Sequence, residues 1–208
     1  MKGSKVVHTL LQFAQPIFYL FVALGLFISL AEDIVEKERL SFDLPIQMFL
    51  QGHATPSLDS MMLALTQAGS GMALVPLNIG IVLLLIRWKR NTDAAFFAIA
   101  VSGAALLNFV AKLGFARARS DLWVSLSPEV TYSFPSGHAM NSFALAGALV
   151  MLTWHSKWRL PVAVVALSYV TIIGLSRIYL GVHFPSDILA GWAASMAWIA
   201  GVVVTIRR

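Results

Sequence analysis

Apolar residues in this chain gather into long runs instead of alternating with polar ones. Six runs stand out, at roughly 10–31, 70–87, 93–111, 138–155, 160–176 and 187–206. Each approaches the length of helix that crosses about 30 Å of hydrocarbon, and a helix pairs its own backbone polar groups where no water is present to do so. Polar or turn-rich sequence separates the runs. The pattern therefore predicts an all-α integral membrane protein built as a six-transmembrane-helix bundle. The long connection 32–69 carries two shorter amphipathic pieces, Phe42–Leu50 and Leu58–Leu65. These read either as short interfacial helices between helices 1 and 2 or as loop segments packed on the bundle. No internal repeat is visible, and 208 residues suit one membrane-embedded domain, 1–208.

Composition agrees. Hydrophobic residues make up 58% of the chain and charged residues 12%, whereas charged residues run near a quarter of a soluble domain. The absence of cysteine excludes disulfides, zinc–thiolate centres and thiol catalysis. The net charge of +5 comes from Lys and Arg beside apolar runs, without the basic, aromatic-interleaved stripe of a nucleic-acid binder. No nucleic-acid partner is expected; the bilayer is. The basic start (Lys2, Lys5) and the run Leu10–Ala31 are too long for a signal sequence, and Glu32-Asp33-Ile34-Val35-Glu36 follows in place of a cleavage pattern. This run is expected to remain as a helix.

Charge placement orients the bundle. Lys2, Lys5, Arg87, Lys89, Arg90, Lys157, Arg159, Arg207 and Arg208 fall on one side. The opposite side carries fewer positives and an acidic loop with Glu32, Asp33, Glu36 and Glu38. By the bias of positive residues toward the cytoplasm, both termini are expected inside and the other end outside.

The ionisable residues at that outer end carry the chemistry. Ser176-Arg177 is followed by His183 and Asp187 between two apolar runs, positions where charge is costly to desolvate and so suggests function. Pro185 suits a first helical turn, which places His183 just outside a helix and Asp187 in its first turn. A carboxylate near an imidazole fixes one ring nitrogen as a donor and leaves the other as nucleophile or base. A buried Arg177–Asp187 ion pair beside a bystander histidine is the structural alternative. Pro135-Ser136-Gly137-His138 immediately precedes another apolar run. A helix N-terminus is an anion site, and Gly137 would let a ligand approach the backbone closely. Lys112 and Arg119 close the preceding apolar segment. Three fixed cations, two histidines, a carboxylate and a helix N-terminus suit phosphoryl transfer, where catalysis is mostly charge neutralisation and positioning. No carboxylate cluster with metal-ligand spacing lies near these residues, so neither metal nor cofactor is expected.

With these residues in place, the chain resembles the type-2 phosphatidic-acid phosphatase superfamily, whose motifs read K-x6-R-P, P-S-G-H and S-R-x5-H-x3-D. They appear here, in order, as Lys112 to Arg119, Pro135 to His138, and Ser176-Arg177 to His183 to Asp187. Ser120 stands where the family usually has proline. The segment Phe42–Gly71 is weakly similar to the family's linker after its first helix. The resemblance implies His183 as nucleophile and source of a phosphohistidine, Asp187 as its orienting partner, and His138 as proton donor to the leaving group and then activator of water. It implies Lys112, Arg119, Ser136, Gly137 and Arg177 as the phosphate clamp. The implied substrates are lipid phosphates or diphosphates: phosphatidylglycerol phosphate, phosphatidic acid, undecaprenyl diphosphate or lipid A phosphates. A lipid phosphotransferase of the same family would use the same residues. A small transporter fits less well, because the charges cluster at segment ends and not at the midplane. Arg117 reads as a loop or headgroup contact, and Gly103, Gly147 and Gly174 as close-packing positions.

Orientation is directly testable because the chain offers a cysteine-free background. A Ser127→Cys protein in intact cells should react with a membrane-impermeant thiol reagent, and Thr92→Cys only after the membrane is broken. The reverse labelling would place the motif-bearing end in the cytoplasm.

Overall fold

The computed structural model describes residues 2–36, 40–120 and 123–206, with side chains from Ala14 onward. Glu38, Arg207 and Arg208, and the side chains of Lys2 and Lys5, lie outside what is described. The described residues form α1 (Lys2–Val35), α2 (Asp43–Gly52), α3 (Pro56–Gln67), α4 (Gly71–Arg87), α5 (Asn91–Phe115), α6 (Gly137–Thr153), α7 (Arg159–Tyr179) and α8 (Pro185–Ile206), without a strand among them.

The helix limits follow local chemistry. Thr55 and Ser70 cap α3 and α4, their hydroxyls accepting from the N–H of Leu58 and Ala73 at 3.3 Å each, and Pro56 occupies a first-turn position where its missing N–H costs nothing. Helix α5 runs past Lys112 to Phe115 and stops where Ala116 turns left-handed at φ 44°. As expected, α8 begins at Pro185 with Asp187 in its first turn.

Among the described residues, five helical stretches are long and apolar enough to cross a membrane: Ala14–Val35, Pro56–Arg87, Asn91–Phe115, Arg159–Tyr179 and Pro185–Ile206. Helix α6 is apolar but shorter, at 17 residues. The two pieces read from the 32–69 connection are both helical, as α2 and α3. Large apolar side chains such as Phe18, Phe21, Leu83, Leu106, Phe109 and Leu167 face outward. That surface would aggregate in water and is solvated by lipid tails.

Helix α8 is central, packed against α1, α5 and α6, and α7 packs chiefly on α6. Small residues let α8 meet both neighbours closely: Gly191 and Ser195 face Ala139 and Met140 of α6, and Ala190 packs among Leu30, Ala31 and Ile34 of α1. A side chain at Gly191 would lie 3.0 Å from both the Ala139 methyl and the Ser136 carbonyl, so α8 touches the N-terminus of α6 directly. Gly103 faces the Trp198 indole, Gly147 meets Ile199, and Gly174 meets Trp192 and Ile188. These glycines let helices approach where lipid offers no hydrophobic drive to pull them together. Fully buried Phe96 and Phe97 centre the core among α4, α5, α6 and α8.

Chain direction concentrates chemistry at one end. There α5 and α7 finish and α6 and α8 start, so Lys112, Ser136, Arg177 and Asp187 share that end while the short turns after α4 and α6 lie at the other. Phe27, Phe115 and Phe134 brace it, with ring centroids 4.9 to 6.0 Å apart, linking α1 to the end of α5 and the segment entering α6.

The α5–α8 contact should be sensitive to volume. Gly103→Val would push a branched side chain into the Trp198 ring, whose Nε1–H donates to the Ile99 carbonyl at 3.1 Å. Overpacking should cost about 1 to 3 kcal/mol, read as a lowered Tm in detergent, with any activity per folded molecule preserved.

Candidate active site

His183 and Asp187 meet at the head of α8, both wholly buried. The imidazole Nδ1–H points at Asp187 Oδ2, 3.3 Å away; that acceptor fixes the tautomer and leaves Nε2 with its lone pair. Nε2 lies 3.3 Å from Arg119 Nη1, so this nitrogen faces the cations. Burial is the main cause that draws the His183 pKa down to about 4, against the pull of Asp187. The ring is therefore neutral, and nucleophilic, near neutral pH.

Asp187 is held on every side. Its Oδ2 also accepts from the Ser133 hydroxyl and from the Phe184 N–H at 2.9 Å. Its Oδ1 accepts from Arg117 Nη1 at 2.5 Å. The other arm of that guanidinium reaches Asp43 Oδ2 at 3.0 Å, and its plane lies 4.2 Å over the Phe184 ring. Asp43 in turn accepts from the Ser186 N–H and hydroxyl at 2.9 and 2.6 Å, capping the start of α8 from the first turn of α2. One turn along α2, Gln47 donates to the His183 carbonyl at 3.1 Å and accepts from the Ser120 hydroxyl at 3.3 Å.

The cations form the opposite wall. Arg119 is pinned by the carbonyls of Thr131 and Val182 at 2.7 Å each. Lys112 donates to the Tyr132 carbonyl and to Thr131 Oγ1, the latter at 3.4 Å, and Arg119 Nη2 reaches the same hydroxyl at 3.1 Å. Arg177 is buried on Thr66 Oγ1 at 2.9 Å, with its Nε–H lacking an acceptor. Glu129 bridges the two arginines: Oε2 takes Arg119 Nη2 at 2.6 Å, and Oε1 takes Arg177 Nη2. His138 Nδ1 lies 3.8 Å from that same Oε1. Burial alone would raise the Glu129 pKa, but Arg177, His183, Arg119 and His138 outweigh it and hold the group below the usual carboxylate range. Burial depresses the Arg119 pKa, an effect that Glu129 and Asp187 oppose.

The Ser136–His138 segment enters α6 at this wall. Ser136 Oγ caps the helix by accepting from the Ala139 N–H at 3.4 Å, and its own N–H donates to the Asp187 carbonyl at 3.1 Å. The space a side chain would need at Gly137 is taken by Asn108 Oδ1, 3.0 Å away. Asn108 also donates to the Pro135 carbonyl at 3.0 Å. The missing Cβ therefore serves the contact with α5, where the sequence suggests an opening for ligand.

All eight residues singled out in the sequence thus gather at one end of the bundle, and two expectations change. Arg177 pairs with Glu129, and the cation on Asp187 is Arg117, so the Arg177–Asp187 pair does not form. Arg117 is mostly enclosed, at 12% side-chain exposure, and bonded to two carboxylates, hence no headgroup contact. Asp43, Gln47, Asn108, Glu129 and Ser133 escape a motif-based reading. The signal for the first two was present: two polar residues four apart share one face of an otherwise apolar helix, and both are buried.

The sequence matches the PAP2 superfamily over residues 93–208. It is 31% identical over 146 residues to phosphatidylglycerophosphatase B of Bacillus subtilis, covering 68% of this chain and 71% of the relative. It is 28% identical over 193 residues to an undecaprenyl-diphosphatase of Sulfolobus acidocaldarius, covering 90% and 88%. Among solved structures, it is similar to the transmembrane PAP2-type phosphatidylglycerolphosphate phosphatase from Bacillus subtilis, with a TM-score of 0.76, 28% identity, and coverage of 90% of this chain and 93% of the other.

The Arg117 bridge yields a stability prediction. Arg117→Ala leaves Asp43 and Asp187 buried at 1% and 0% exposure without their shared cation. Removing one partner of a buried pair should cost about 3 to 5 kcal/mol. Thermal unfolding should show a large loss for Arg117→Ala and a smaller one for Arg117→Lys, which keeps the charge but not the fork.

Proposed function

Because this chain belongs to the PAP2 superfamily, we propose that it is a lipid phosphatase of the bilayer that removes a terminal phosphate from a lipid phosphate or diphosphate through a phosphohistidine. The observation that carries the reading is the convergence of Arg119, Arg177 and His138 on one anionic group beside the Nε2 of His183. A terminal phosphate bound there has its oxygens on two guanidinium forks and its phosphorus within reach of an imidazole that Asp187 orients.

In the first half-reaction His183 Nε2 attacks phosphorus, the bond to the leaving oxygen breaks, and His138 gives that oxygen a proton. Asp187 stabilises the positive charge on the ring. In the second, His138 takes a proton from water, which attacks phosphorus as the P–N bond breaks. Lys112, Arg119 and Arg177, with the N-terminus of α6, neutralise the charge that builds on the equatorial oxygens. This division of roles supports a metal-independent hydrolase. The acyl or isoprenoid tail stays in the bilayer while the headgroup reaches the end of the bundle. Phosphatidylglycerol phosphate and undecaprenyl diphosphate are the first substrates to assay, given the activities named for the similar proteins.

We extend the architecture in the same terms. Helix α6 spans about 26 Å and completes a six-span bundle with α1, α4, α5, α7 and α8, while α2 and α3 lie at the interface on the active-site side. That side faces the periplasm or exterior, with both termini cytoplasmic, on the distribution of Lys and Arg.

Purified protein should release phosphate from lipid phosphates in the presence of a chelator and should be inhibited by orthovanadate, which imitates the five-coordinate transition state. His183→Ala should abolish both turnover and an acid-labile phosphoenzyme. Magnesium-restored activity after chelation would overturn the metal-free reading, and a phosphoenzyme in His183→Ala would overturn the nucleophile.

A further inference from the structure

Glu129 lies in the irregular segment between α5 and α6, beside the fully exposed Val130. The mechanism above gives its carboxylate no part, yet it occupies the centre of the cationic wall. Its two oxygens are divided between Arg119 and Arg177, and the one on Arg177 is also the atom nearest His138 Nδ1. Carboxylates and phosphates are recognised by guanidinium forks in the same way, as paired oxygens accepting paired N–H groups. Glu129 therefore takes the bonds that two oxygens of a bound phosphate would take.

Resting on the phosphatase reading, we propose that Glu129 determines specificity: its carboxylate competes for the phosphate cage, yielding to dianionic terminal phosphates and excluding the monoanionic phosphodiesters of the surrounding bilayer. A cage of three cations at the membrane surface is bathed in phosphodiester headgroups. A tethered group competes at an effective concentration that can reach the millimolar range. A phosphodiester brings one charge and two free oxygens, no more than the carboxylate already supplies, so the tether decides in favour of Glu129. A terminal phosphate carries up to about two charges and three acceptor oxygens. It can also satisfy the unpaired Nε–H of Arg177 and draw on Lys112 and the N-terminus of α6, which Glu129 does not reach. Only such a ligand gains enough to displace the side chain. The competing role, orientation of His138 as acid and base, is disfavoured by distance: 3.8 Å to the imidazole against 2.6 Å to Arg119.

The test compares full-length wild type with Glu129→Gln and Glu129→Asp in mixed micelles, using phosphatidic acid as substrate and orthophosphate or phosphatidylglycerol as competitors. In Glu129→Gln the KM for phosphatidic acid and the Ki for orthophosphate should each fall roughly fivefold, the worth of about one partly exposed ion pair. The kcat should stay within about twofold. Phosphatidylglycerol should become a competitive inhibitor of Glu129→Gln while leaving wild type unaffected, and Glu129→Asp should behave as wild type or between the two. A fall in kcat at unchanged KM would assign Glu129 to His138 and overturn the proposal. So would a raised KM, or equal inhibition of both proteins by phosphatidylglycerol. If wild type releases no phosphate from any lipid, the phosphatase reading fails on its own. The rise in Tm with orthophosphate still tests the cage, and an equal rise in wild type and Glu129→Gln would overturn the competition.

Discussion

A charge withdrawn from water must be matched on every polar atom, and the Asp187 carboxylate is withdrawn completely at the head of a membrane helix. Four groups answer it: the ring of His183, the Ser133 hydroxyl, the Phe184 N–H, and Arg117 on the far oxygen; the Ser136 N–H takes the backbone carbonyl of the same residue. Each of these partners then has to be placed. Arg117 cannot sit between buried walls without a second anion, which Asp43 supplies, and Asp43 spends its remaining capacity on the start of α8. The demand to satisfy one buried charge thus fixes the entry of α6, the exit of α5, the seat of α2 and the register of α8.

The two sides of His183 are electrostatically unlike. Behind it, Asp187, Arg117 and Asp43 form a closed set in which two negatives share one positive. In front, Arg119 and Arg177 meet the single carboxylate of Glu129. The imidazole stands between an anionic back and a cationic face. In the proposed reaction, positive charge created on the ring would be stabilised from behind, and negative charge arriving on a substrate from in front.

The apolar helices and the motif residues at their ends were legible in the sequence because each rests on local information. A long apolar run, a Pro-led first turn at Pro185 and a Ser cap at Ser136 act within a few neighbours. The roles of Asp43, Gln47, Asn108 and Glu129 were not legible, because they are defined by partners far away in the chain, although the polar face shared by the first two was visible. Asp43 meets Ser186 across 143 positions, and Asn108 meets Pro135 across 27. Arg117 was misread for the same reason. Nothing adjacent to it in sequence marks it as enclosed, and a lone arginine beside a membrane segment is ordinarily a headgroup contact. Gly137 illustrates a subtler limit: the need for a missing side chain was visible, but whether ligand or Asn108 filled the space was not.

The contact between Asp43 and Ser186 also bears on the order of assembly during synthesis. The α2 residues are made early, and their partners at the start of α8 are among the last parts of the chain to emerge. Loop closure over such a separation is slow and comes late. Until it happens, Arg117 has one carboxylate instead of two, and the head of α8 is uncapped. The nascent protein thus carries its cations, its histidines and its membrane helices before the buried carboxylates of Asp43 and Asp187 are joined through Arg117.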